Sequence, residues 1–250
     1  MSRPRRKVIL FLVEGSSDQA ALERPIQALL QSSGKDIEAV FLVAETDVTS
    51  DNRNTPNNIL KNINKWYFDP FFSANEFYYP KDIIEVVQIC DLDGTYIPEE
   101  NCKEFEESHQ ITDNFIYEPP FIYGKTASAI IERNHHKAEN INYLLTQSKI
   151  KVRSKTVPYS LYYFSCNIDH YIHDKLNLTG REKIQRAEEF ADKCSKDHEY
   201  FIHRICESSQ NNLSYIDSWN FVRNPESCQS IKRNTNFNIY LHQLLDKLNQ

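Results

Sequence analysis

Short apolar runs alternate with segments of helical periodicity over most of the first half of the chain. Val8-Ile9-Leu10-Phe11-Leu12-Val13 and Ile83-Ile84-Glu85-Val86-Val87-Gln88-Ile89-Cys90 are rich in β-branched residues and of strand length, and such near-continuous apolar runs mark strands buried on both faces. The pattern predicts strands over 7–13, 37–43, 83–90 and 115–117. Between the first two, Ala20, Ala21, Leu22, Ile26, Leu29 and Leu30 recur at helical spacing behind Ser16 or Ser17 as cap, with Pro25 a point of kink or restart. Further helices are predicted over 56–66 and 98–108, and an aromatic-rich ordered loop over 68–80. Strands alternating with helices give a mostly parallel α/β sheet with helices on both faces. The second half is predicted to be largely helical (126–147, 181–207 and 240–248), with one short strand at 161–164. These patterns divide the chain into an α/β core over 1–125 and a helical C-terminal extension over 126–250, packed together as one unit.

Two of the buried strands end in acid. The first runs into Glu14-Gly15-Ser16-Ser17-Asp18 and the second into Asp91-Leu92-Asp93-Gly94. Five glycines occur in all, and two of them directly follow these clusters, where a tight turn or a close backbone approach is needed. In an open α/β sheet the carboxyl ends of neighbouring strands share one crevice. Glu14, Asp91 and Asp93 would repel one another there unless a cation lay between them, and oxygen-only ligands suit Mg²⁺ or Mn²⁺. The competing reading is that Glu14 and Asp91 cap the helices that follow.

This order of motifs resembles the TOPRIM domain of topoisomerases, bacterial primases and OLD-type nucleases, which carries Glu-Gly after its first strand and Asp-x-Asp after a later one. The string Leu12-Val13-Glu14-Gly15-Ser16-Ser17-Asp18 with Ala21-Leu22 is most similar to the OLD, 5S-ribosomal-RNA-maturase and RloB-like branches, and the likeness covers about the first half of the chain. The sequence after Asp93 departs from the maturase pattern. The resemblance implies a TOPRIM-like fold and a magnesium-dependent nuclease, with Glu14, Asp91 and Asp93 catalytic and Asp18 joining them as a metal ligand. With no zinc ribbon in the chain and no room for a topoisomerase's tyrosine domain, hydrolysis of DNA or RNA, transfer RNA included, is the implied reaction. Proteins of this kind serve in anti-phage defence beside an ATPase partner. A degenerate TOPRIM module that binds or regulates without catalysis, or an RNA-processing ribonuclease, remains the alternative.

Composition narrows the picture further. The apolar runs are too short to span a membrane, and only six apolar residues follow the basic start before Glu14, so a cytoplasmic protein without a membrane partner is expected. A net charge of −6 argues against a broad nonspecific nucleic-acid coat. Local basic patches would be required instead. Lys151, Arg153 and Lys155, and Lys232 with Arg233, are the candidate nucleic-acid-binding residues. Asp169 and His170, just after the strand at 161–164, form a second chemical candidate. Asp169 would complete a second metal site and His170 would serve as general acid or base, with an ordinary helix start capped by Asn167 as the alternative. Gly124-Lys125-Thr126 ends like a P-loop but lacks the preceding glycine, so nucleotide binding is left to a partner.

Overall fold

A computed structural model describes residues 6–111, 113–206 and 213–250. In chain order the elements are β1 (Val8–Val13), α1 (Ser16–Ser32), β2 (Glu38–Val43), α2 (Ile59–Ile63), α3 (Asp69–Ala74), β3 (Ile83–Asp91), β4 (Cys102–Glu104), β5 (Phe115–Glu118), β6 (Phe121–Gly124), α4 (Ala127–Leu145), β7 (Lys149–Val152), β8 (Lys155–Phe164), α5 (Ile168–His173), α6 (Gly180–Lys196), α7 (His198–Cys206), α8 (Tyr215–Arg223) and α9 (Phe237–Asn249).

The main sheet has the order β2-β1-β3-β8-β7, with every neighbour parallel except the β7–β8 hairpin at one edge. β1 is an interior strand, wholly buried because it packs on both faces. Ile9, Phe11 and Val13 point into a core formed with α1, α5, α6, α7 and α9. Val8, Leu10 and Leu12 point into the opposite core, shared with α2, α3, α4 and α8. The fold is therefore α/β, with a mostly parallel mixed sheet between helical layers and a helix closing the chain. The sheet draws β7 and β8 from the second half of the sequence. Among the described residues no helix is long and apolar enough to cross a membrane.

Several elements differ from their sequence expectation. The stretch 98–108 is not a helix: after one 3-10 turn at Glu99–Asn101, β4 pairs parallel with β6, and β5 forms a hairpin with β6. These strands have only three or four residues and are held by tertiary pairing, which a local period cannot reveal. The aromatic stretch after Ile63 continues through a π-helical turn at Asn64–Phe68 into α3. α1 runs unbroken through Pro25. The helix expected over 181–207 is two, α6 and α7, broken at Asp197, and its last residue lies outside the described segments.

The turn after β3 is closely packed. Asp93 and Gly94 both take left-handed backbone, at φ 48° and 70°. A Cβ on Gly94 would stand 2.5 Å from Ile122 Cδ1. Gly94→Ala is expected to cost about 1–3 kcal/mol from backbone strain and steric displacement. Urea denaturation would measure this, and a variant as stable as the parent would refute it.

Candidate metal centre

From β1 the chain steps outward to β2 on one side and then crosses to β3 on the other, so the crevice between the carboxyl ends of β1 and β3 is the switch point of the sheet, where open α/β folds bind ligands. Glu14 follows β1 there, and Asp91 and Asp93 follow from β3. The loop after β2 adds Asp47. Carboxylate oxygens of Glu14, Asp47 and Asp93 all lie within 4.8 Å of one another, and this triad could hold a metal ion.

Each member is fixed in place. Asp47 Oδ1 accepts from the Thr49 N–H and the Thr49 hydroxyl, both at 2.7 Å, and that hydroxyl also contacts Glu14 Oε1 at 3.3 Å. Asn140 of α4 donates to the Thr49 carbonyl at 3.0 Å, and Asn54 to that of Val48 at 2.7 Å, so the loop cannot drift. The backbone of the β3 turn is stitched to the end of β8, to the turn that follows it and to the segment before α9: Leu92 N donates to Phe164 O, Asp93 N to Cys166 O and Gly94 N to Ser230 O. Arg133 of α4 donates to the Asp93 carbonyl, and the Tyr117 hydroxyl to Asp93 Oδ1.

The ammonium of Lys137, fully buried on α4, lies in the middle of the triad, 2.7 Å from Asp93, 2.9 Å from Asp47 and 3.6 Å from Glu14. Burial opposes ionisation of Asp47, but the Lys137 charge and hydrogen bonds from Ser50 and Thr49 outweigh it and hold its carboxyl well below the usual range. Glu14 goes the other way. Burial pushes its carboxyl well up, with Asp47, Asp91 and Asp93 adding to the rise against Lys137.

A second acidic group adjoins the first. Asp18 accepts from the Gly15 N–H at 2.8 Å in the first turn of α1. Asp169 stands on α5, 3.9 Å from the Lys183 ammonium of α6. Asp91 accepts from the Ile168 N–H at 3.1 Å. Burial raises the Asp91 carboxyl well above the usual range, and Asp18, Asp93 and Asp169 all push it further, so Asp91 lies between the two groups. Six carboxylates thus meet at one edge, with Lys137, Lys183 and Arg133 as their cationic neighbours. Fully ionised, the six would exceed these three cations in charge, and the raised carboxyls of Glu14, Asp18 and Asp91 show the strain that a divalent cation among oxygen ligands would relieve. The triad fits such an ion by donor chemistry and spacing, with Lys137 already supplying one positive charge.

Compared with protein-family models, with curated proteins and with solved structures, the chain matches none.

The structure therefore brings together Glu14, Asp18, Asp91, Asp93 and Asp169. It does not bring His170 into this group: its ring faces Asp174 and Arg233, its Nδ1 has no partner, and burial lowers its pKa. Arg233 donates to the Tyr171 carbonyl and Lys232 to that of Ser227, on the segment that borders the β3 turn. Lys151, Arg153 and Lys155 lie at the opposite end of the sheet, about 30 Å away along the ten residues of β8. Arg153 bonds Asp69 there and Lys155 the Ile83 carbonyl, so these three cannot reach a phosphate held at the acidic edge. Asp47, Lys137, Arg133 and Tyr117 were missing from the sequence reading. Lys137 had a signal: with Ile130, Asn134, Ile141 and Leu144 it lies on the buried stripe of α4, an unusual place for a lysine.

Two outcomes are expected. Lys137→Met leaves buried carboxylates without their ammonium and should cost about 3–5 kcal/mol at neutral pH in metal-free buffer, less in acid, as read by chemical denaturation. Asp18 titrates at about 6, pushed up by burial and then by the Asp169 charge. A carboxyl raised on folding stabilises fully below its unfolded value, and that contribution is lost as pH rises through its folded value. Asp18→Asn keeps an acceptor for Gly15 and should therefore gain on the parent, on the order of 2–3 kcal/mol, as pH rises from about 4 to about 7 without metal. A difference that stays flat with pH would refute the assignment.

Proposed function

We propose that this protein is a divalent-cation-dependent nuclease, using Mg²⁺ or Mn²⁺ to hydrolyse phosphodiester bonds. The observation that carries this reading is the meeting of six carboxylates, from the ends of β1, β2 and β3 and the starts of α1 and α5, at the switch point of the sheet. No common structural need explains such a gathering, since repulsion between buried carboxylates opposes folding. The resemblance of Glu14-Gly15 and Asp91-Leu92-Asp93 to the TOPRIM pattern supports the same reading, and in that family the chemistry is performed on nucleic acid.

Glu14, Asp47 and Asp93 would hold one cation, and Asp18, Asp91 and Asp169 form an adjoining acidic group that acts on the first through its charge. Bound there, divalent cations lower the pKa of a ligated water and neutralise charge on the phosphoryl oxygens. The protein's part is geometric and electrostatic. Lys137 keeps Asp47 ionised and holds the triad together. Arg133 and Tyr117 lock both the carbonyl and the carboxylate of Asp93. Lys183 faces the second group from α6, where it would meet phosphate charge. The ATPase partner implied by the resemblance remains part of the proposal. In this chain Gly124 ends β6 and Thr126 caps α4, a use of these residues that builds no phosphate cradle.

One observation favours a second reading, a TOPRIM-like module that binds or regulates without catalysis: the Lys137 ammonium already contacts all three carboxylates of the triad. Cleavage assays on plasmid, single-stranded DNA and transfer RNA, with Mg²⁺ or Mn²⁺ and with chelator, separate the two. The nuclease reading expects metal-dependent products. It also expects Asp91→Asn, which can still accept from the Ile168 N–H, to cut at least about 100-fold more slowly. A parent that cuts nothing and binds neither metal in calorimetry supports the regulatory module.

A further inference from the structure

A cleft of about 190 Å³ opens beside the acidic edge, between β5 and the start of α6. Phe115, Tyr117, Asn167, Asn177, Gly180 and Lys183 line it, and Asp113 is the one acid among its lining residues. Three of these residues tie the cleft to the carboxylates. The Tyr117 hydroxyl donates to Asp93, the Lys183 ammonium is 3.9 Å from Asp169, and Asn167 caps the helix that carries Asp169.

The cleft is built to keep its shape. Asn177 accepts from the Tyr117 N–H at 2.8 Å and donates to the Tyr117 carbonyl at 2.9 Å, so the loop before α6 closes onto β5 as an added strand residue would. Arg133 stacks over the Phe115 ring at 4.5 Å and restrains it. Asn167 is 93 % buried, and its amide N–H₂ group has only a long contact, 3.9 Å, to the Cys166 sulfur. A buried amide donor, two aromatic side chains and a lysine match the two ends of a nucleotide: a flat heteroaromatic base and a phosphate.

We propose that this cleft is a subsite for one unpaired nucleotide of a single-stranded substrate. Its base lies against Phe115 and Tyr117, and its phosphate is directed by Lys183 towards the carboxylates. The inference rests on the nuclease reading above and adds the substrate class. A cleft of this size has no room for a base pair, and a base inside a duplex would first have to leave the stack. Stacking on aromatic side chains beside a basic group is how single strands are held without strict sequence preference.

Gly180 offers a plug. It lines the cleft and a Cβ there meets nothing within 4 Å, so Gly180→Trp adds bulk to the cleft's lining without a clash at Cβ. The probes are fluorescein-labelled oligothymidylate and oligouridylate of about ten nucleotides, with a blunt duplex of the same length, each with Ca²⁺ in place of Mg²⁺ and read by anisotropy. Mn²⁺ binding and thermal unfolding are measured on the same samples. The expected result is that the parent binds at least one single strand more tightly than the duplex. Gly180→Trp then loses about tenfold in that affinity while keeping Mn²⁺ binding and its unfolding temperature. If Gly180→Trp does not fold, Lys183→Gln decides, with weaker single-strand binding and a shallower salt dependence expected. A folded plug variant that binds like the parent, or a parent that holds duplex as tightly as single strand, overturns the subsite while Mn²⁺ binding leaves the nuclease reading standing. A parent that binds neither Mn²⁺ nor any oligonucleotide removes both.

Discussion

A lysine with no exposed surface, surrounded by carboxylates, constrains everything around it. Taking an ammonium or a carboxylate out of water costs several kcal/mol per ion, and the cost is offset only if partners stay at close range. Lys137 therefore dictates where three remote pieces of chain must end: the first residue after β1, the loop after β2 and the turn after β3. The supporting contacts serve the same end. Thr49, Asn54 and Asn140 hold the Asp47 loop, and Arg133 and Tyr117 hold Asp93, so that no carboxylate can swing out to solvent and leave the ammonium alone.

The small sheet of β4, β6 and β5 belongs to this arrangement. It carries Tyr117 to Asp93 on one side and lines the cleft at α6 on the other. Its Cys102 and Ile122 pack with Ile130, Cys166 and Ile231, which joins it to the turn after β8 and to the approach to α9. The acidic edge and the cleft are thus two faces of one set of contacts, with Asp169 and Lys183 where they meet.

How much of this could be read from residues alone depended on how local the determinant was. β1 and β3 announce themselves because strands covered on both faces are apolar throughout, and the acids at their ends inherit their positions from the sheet. Asp47 was invisible because it returns to the site through a polar loop whose course is set by Asn54 and Asn140, far along the chain or hidden in it. The basic run at 149–155 alternates as a half-covered strand does, with Ile150 and Val152 buried and Lys149 and Lys151 facing out, but its distance from the acids depends on the strand pairing and could not be read locally. His170 shares a helix turn with Asp169, but neighbours in a helix point in different directions, and only packing decides which one meets the carboxylates.

Ser230 joins turns that lie far apart in the chain. Its carbonyl accepts from both Gly94 and Cys166, and its hydroxyl from the Tyr96 N–H, so one late residue fastens the two turns that present Asp91, Asp93 and Asp169. Two stretches of chain more than 70 residues apart thus share a single clasp, and a change at this one serine is felt by acids from both.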